Sequence, residues 1–329
     1  MRVGVVGPLG PDTLADNVLH GLRELGHDAV SLGPIGPDPK GKVLGRATQA
    51  FRGLSAEAEQ WSQRALIRRS RGAHCEVIIN LQASAMASTI STLRASGAKV
   101  CLWYPDAISN VGRLSMVAAD YDALFLKDPL FVQRLRDVYG MPAHYLAEAC
   151  NPTWHRPVGE FGSQPHIAVV GNIYPTRARL LVRLHESGIP LQLFGSGFPR
   201  WFDAGPLRAL HTERAVMREE KSRVFREAAG VLNNLHPAEM TSVNCRLFEA
   251  SAAGGAVICE DRSTLAELFT PGQEVLPFDT FDELLAHCHT VLGDRDLARR
   301  VGDAASSRAF RDHTYVVRLR QMLEILASD

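Results

Sequence analysis

The stretch from Asn244 to Phe278, NCRLFEASAAGGAVICEDRSTLAELFTPGQEVLPF, constrains the fold more than any other part of the chain. Read in order it is a short amphipathic helix, a Gly-Gly stop, a buried strand, a second short helix, a Pro-Gly turn and another strand, which is a compact βα repeat. Leu247, Phe248 and Ser251 to Ala253 pack the first helix on a sheet, and Gly254-Gly255 end it with residues that tolerate positive φ. Ala256 to Cys259 follow as a small apolar strand. Arg246 and Glu249 are three residues apart, so their side chains leave one side of that helix. A cation for phosphates beside a carboxylate for ribose hydroxyls suits a nucleotide.

The chain opens with the strand RVGVVGP, a break at Gly7-Pro8-Leu9-Gly10, and a helix that Asp12 or Thr13 can cap and Gly26 ends. Strand, glycine-bearing loop and helix begin a doubly wound half. The third glycine of a dinucleotide cradle is absent and no acid ends the next strand, so a dinucleotide site is not expected there. The remaining units are regular: CEVIINLQ, KVCLWYPD and ALFLKDP are strands, AHYLAEA is a last strand, and helices run over 83–96 and 130–139, with a short one around Leu114. Ligands of open α/β sheets lie at the carboxyl ends of strands, which selects Gly7, Asn80 to Gln82, Asp106 and Lys127-Asp128.

Asn151 to Gln164, rich in Pro and Gly, is read as a linker between residues 1–155 and 156–329, and HIAVVGN starts a second sheet. Gly171-Asn172 lead to Arg177 and Arg179 near a helix start, where free N–H groups favour anions. Gly195-Ser196-Gly197 follow the next strand, and GVLNNLHP places Asn233, Asn234 and His236 at the end of another. Trp201-Phe202 pack either near a base or in the core. Helices are expected over 281–292, 294–311 and 315–326.

The pattern R-x-F-E-A-x-A-x-G, then a strand, LAELFTPGQEV and FDELL, resembles glycosyltransferases of the CgeB-like spore-maturation type, within glycosyl transferases group 1. GNIYPTRARLL and DHTYVVRLRQML match at the expected places. The resemblance implies an α/β GT-B fold, two Rossmann-like doubly wound domains facing a central cleft. Residues 1–155 would bind the acceptor, 156–329 the nucleotide sugar, and the terminal helices would cross back to the first domain. It implies a hexosyltransferase-type enzyme that moves a sugar from a UDP or GDP donor to an acceptor hydroxyl, retaining by analogy and independent of metal. Donor contacts would come from Gly171, Asn172, Arg177, Gly195, Ser196, Gly197, Asn234, His236, Thr241, Ser242, Asn244, Arg246 and Glu249. Arg177 would hold the diphosphate as the sugar leaves. The acceptor side would include Gly7, Gly10, Asn80, Gln82 and Asp106. Asp106 would steady the acceptor hydroxyl or take its proton, or else caps the loop after Pro105. The sequence departs from the wider E-x7-E signature, since Thr241 stands eight before Glu249; Thr241, Ser242 and Asn244 would then supply hydroxyl and amide contacts.

Composition fits this reading. A chain of 329 residues suits two domains of about 150 residues each. Hydrophobic residues make up 46%, charged residues 22%, and the formal net charge is +0, which argues against a nucleic-acid binder held by a basic field. No apolar run approaches the roughly 18 residues of a spanning helix, so a cytoplasmic protein with at most peripheral membrane contact is expected. The basic segment 40–72 is read as a solvated face ahead of an acceptor or membrane contact. Six cysteines stand singly and are expected as free thiols; His287-Cys288-His289 cannot face one point, and no metal is expected. Asp120-Tyr121-Asp122 and Asp294-Arg295-Asp296 are read as a helix-to-strand junction and a helix start. No cofactor is expected beyond the nucleotide sugar as co-substrate. The other readings are a nucleotide-sugar 2-epimerase of the same architecture and a non-catalytic nucleotide-sugar-binding scaffold.

Overall fold

Parallel strands buried on both faces must be apolar nearly throughout, and each must be followed by a crossover that returns the chain to the same edge. Both halves of the sequence meet that demand. The computed structural model describes residues 1–36, 55–108, 115–198 and 203–328. Lys40, Lys42, Arg46 and Arg52 of the basic segment, the helix expected around Leu114, and Trp201-Phe202 lie outside the described residues.

The first sheet is built from β1 (Arg2–Val6), α1 (Leu14–Glu24), β2 (Asp28–Gly33), α2 (Ala56–Ala73), β3 (Val77–Asn80), α3 (Ala87–Arg94), β4 (Lys99–Tyr104), β5 (Ala123–Leu126), α4 (Pro129–Asp137) and β6 (Ala143–Tyr145). Its strand order is β2-β1-β3-β4-β5-β6, with every pair parallel. Thr13, not Asp12, caps α1 by accepting the Asp16 N–H, and Asp12 takes a left-handed φ of 62°. Asp128 caps α4 ahead of Pro129, whose missing N–H costs nothing at that position. AHYLAEA pairs as a strand only over Ala143–Tyr145.

The second sheet is built from β7 (Gln164–Val170), α5 (Pro175–Glu186), β8 (Leu191–Phe194), α6 (Arg218–Glu227), β9 (Ala228–Asn233), α7 (Cys245–Ala252), β10 (Val257–Glu260), α8 (Leu265–Leu268), β11 (Leu276–Phe278), α9 (Phe281–Gly293) and α10 (Arg295–Asp312). Its order is β11-β10-β9-β7-β8, again all parallel. Both sheets wind alike: the second strand flanks the first on one side and the later strands extend from the other. The winding therefore reverses between β1 and β3, and between β7 and β9, where open α/β sheets place ligands.

The last helix is α11 (Tyr315–Ser328). Contacts group Met1–Ala147 with the chain from Tyr315 onward as one unit, and Glu148–Thr314 as the other. Of the three terminal helices only α11 returns to the first unit. It packs on α1, where Gly21 leaves room for Leu319 (a Cβ there would sit 2.9 Å from Leu319 Cδ1), and its Tyr315 ring lies 5.9 Å from Trp103. By contrast α9 and α10 put Val291, Ala298 and Val301 into the second core. The expected boundary at 155 is also displaced. Asn151 and His155 are buried, the Asn151 N–H donates to His155 Nδ1 at 3.0 Å, and Cys150 bridges Thr314, all within the second unit.

Candidate functional site

In the second unit the loops after β7 and β8 meet at two glycines. A Cβ on Gly195 (φ +142°) would lie 2.5 Å from the Gly171 carbonyl oxygen, and the Gly171 N–H donates to Phe194 O at 2.8 Å. Gly171 itself has φ +115°, and a Cβ there would lie 2.2 Å from Arg246 Nη2 and 3.5 Å from Arg177 Nη1. Only glycine admits both the backbone angle and the approach of the two guanidinium groups.

Arg177 comes from the first turn of α5, which begins at Tyr174-Pro175 with no side-chain cap. It is only 2% exposed. Its Nε donates to Asn234 Oδ1 at 2.8 Å, Nη1 to Asn172 O at 2.9 Å, and Nη2 to Asn234 O at 3.0 Å. Three of the five N–H bonds of the guanidinium are therefore spent on the protein. Burial, and then the neighbouring charge of Arg246, bring its pKa down to about 10. Asn234 also donates to the Tyr174 hydroxyl at 3.0 Å, and the Tyr174 ring lies 5.0 Å from Arg177 Cζ. Arg246 is half-buried and makes one long bond, Nη1 to Asn233 Oδ1 at 3.4 Å. The arrangement joins a fixed cation, a freer cation and an uncapped helix start, and it attracts an anion.

The other donor-side residues are distributed as follows. Ser196 Oγ donates to Asn172 Oδ1 at 2.8 Å, tying the two loops, and Gly197 is exposed beside them. His236 lies 4.8 Å from the Tyr174 ring and accepts the Ala238 N–H through Nδ1. Asn244 caps α7 by accepting the Arg246 N–H at 3.2 Å, and Ser242 Oγ donates to Glu239 at 2.6 Å. Both are thus engaged by the protein, while Thr241 Oγ1 is buried and unpartnered among the described residues. Glu249 pairs with Lys221 on α6, whose Nζ lies 2.8 Å from its Oε1. Sequence reasoning passed over Tyr174, Lys221, His155 and Glu260. Glu260 ends β10 and accepts from the Leu235 N–H and Arg262, so the strand-end rule could have found it. Nothing local marks Lys221 or His155.

In the first unit Gly7 and Gly10 border the turn into α1, where Gly10 O accepts from Thr13 Oγ1 at 2.9 Å. Asn80 is 1% exposed and its amide donates to Gln82 O and the Tyr121 hydroxyl, both at 2.8 Å; Gln82 accepts the Ile35 N–H at 2.7 Å. These two shape the turn after β3. Asp106 stands exposed past the end of β4. Asp122 accepts from the Val100 N–H and Arg94, and Asp294 caps α10, which are the structural roles expected for those acids.

Residues 177–324 match the family described as glycosyl transferase-like. In three dimensions the chain resembles sucrose-phosphate synthase (tll1590) from Thermosynechococcus elongatus, at a TM-score of 0.70 and 12% identity over 99% of each chain. It also resembles Anabaena Alr3699/HepE in complex with UDP-glucose, at 0.69 and 12% over 100% of each chain. The fold is GT-B. AviGT4, a glycosyltransferase involved in avilamycin A biosynthesis, shares this GT-B fold at 0.64 and 16% identity, over 100% of this chain and 98% of its own. No curated protein matches by sequence. The matching family gives glycosyltransferase as the enzyme class. Among the described residues no helix is long and apolar enough to cross a membrane.

Proposed function

We propose that the protein moves a hexose from a nucleoside-diphosphate sugar to an acceptor hydroxyl, with retention and without a catalytic metal, and that it is of the CgeB-like type on the strength of the motifs quoted above. The observation that carries the reading is the convergence of Arg177 and Arg246 on Gly171 at the uncapped start of α5. A leaving diphosphate gains negative charge, and two guanidinium groups with free helix N–H donors meet that charge in place of a divalent ion. Arg246 is the cation with donors to spare, and Arg177 fixes the platform it works from. Glu249 takes the ribose hydroxyls, and Asp106 steadies the acceptor hydroxyl. Uridine is the first base to test, because structural neighbours carry UDP or UDP-glucose. Six free cysteines agree with a reducing cytoplasmic location.

The test is a thermal-shift panel in chelator with UDP, GDP, dTDP, ADP and NAD. Ligand at 100 times its Kd stabilises by about 2.7 kcal/mol, which is readily seen. One nucleoside diphosphate should raise the melting temperature, and Arg246→Ala should abolish the shift. A shift with NAD alone, or an Arg246→Ala variant that binds like wild type, overturns the reading.

A further inference from the structure

Glu249 is buried at 7% exposure, and Lys221 and His155 both approach its Oε1. Lys221 Nζ lies 2.8 Å and His155 Nε2 3.8 Å from Oε1. His155 accepts the Asn151 N–H through Nδ1 at 3.0 Å, so the proton of its neutral ring belongs on Nε2, facing the carboxylate. His155 is fully buried and Lys221 is 8% exposed, so neither is a solvated surface charge.

A buried ion pair is a poor stabilising device, because apolar residues of similar volume serve as well or better. What such a pair does well is fix one orientation. A lone carboxylate on α7 could rotate about its last bond and present either oxygen. With Oε1 held from α6 and from the segment before β7, the carboxylate keeps one orientation toward a ligand.

We propose that Lys221 and His155 are positioning residues that hold Glu249 Oε1 so that Oε2 accepts from the ribose hydroxyls of the nucleotide. The proposal rests on the nucleotide-site reading given above and adds the residues that set its ribose selectivity. They lie 28 and 94 residues before Glu249, by subtraction of the sequence numbers, and on different elements from it.

The experiment uses the full chain and calorimetric titration with UDP and GDP, each against its 2′,3′-dideoxy counterpart. Wild type should bind the ribonucleotide about tenfold tighter, the scale of one hydrogen bond to a charged acceptor. Lys221→Met and Glu249→Gln should each bring that ratio close to one, with affinity for the dideoxy form unchanged, and the double variant should lose no more than either single one. Lys221→Arg should keep part of the preference. A folded Lys221→Met with the wild-type ratio overturns the proposal, since a merely structural pair would lower the melting temperature and leave the ratio alone. Should Lys221→Met fail to fold, Lys221→Arg and His155→Gln decide: a reduced ratio supports the proposal and an unchanged one overturns it. If wild type binds neither nucleotide, the nucleotide-site reading itself has failed and the positioning role falls with it, a result distinguishable because it appears before any substitution.

Discussion

Arg177 and Arg246 point at the same glycine yet differ in what the protein asks of them. Arg177 is enclosed and donates three hydrogen bonds to Asn172 and Asn234. Removing it strands buried acceptors, so Arg177→Ala should destabilise the second unit by on the order of 2–4 kcal/mol, besides reducing turnover. Arg246 is half-buried with one long bond, so Arg246→Ala should cost less than about 1 kcal/mol while removing nucleotide binding. Chemical denaturation beside titration checks the contrast; equal stability losses would refute it. Both arginines were legible as residues that follow a strand end or open a helix. The division of labour was not, because it depends on which N–H groups Asn234 satisfies, and Asn234 lies 57 residues from Arg177.

At the scale of elements, the helix that organised the sequence reading is α7, and its start is the sensitive point. Asn244 caps it, and that cap also sets the backbone from which Arg246 reaches Gly171. Asn244→Ala should cost about 1 kcal/mol and weaken nucleotide binding in the same step. Asn244→Asp, which restores the cap, should recover both, and thermal melts with and without nucleotide read the outcome. The far end of α7 stops at Gly254, φ +73°, where Gly302 of α10 packs so closely that a Cβ on it would lie 2.3 Å from Gly254 O. The Gly-Gly stop was visible in the sequence; its second reason, the passage of α10, was not. Ser242 and Asn244, expected to meet the sugar, also serve the protein itself, Ser242 through Glu239 and Asn244 as the helix cap.

On the scale of the whole molecule, two parallel sheets repeat one winding, and the chain's last helix joins the unit built from its first residues. Arg318 donates to Ala147 O and Lys99 to Leu326 O, both within that unit. Ending the chain at Thr314 removes Leu319, Met322 and Leu326 from its core. Calorimetry should then show the first unit melting lower by several degrees or not folding, while nucleotide still stabilises residues 148–314. Loss of both transitions together would show the units to be interdependent. The sequence by itself determined the two α/β halves, the order of strands and helices within each, and which residues stand at the strand ends. Those features follow from local periodicity, caps and glycine stops, which a single chain segment carries. Only the tertiary structure decided that α11 returns to the first unit, that Arg177 is consumed by Asn234, and that Lys221 and His155 hold Glu249. Those pairings join residues far apart in the chain, and no local pattern encodes which distant partner a buried polar group will find.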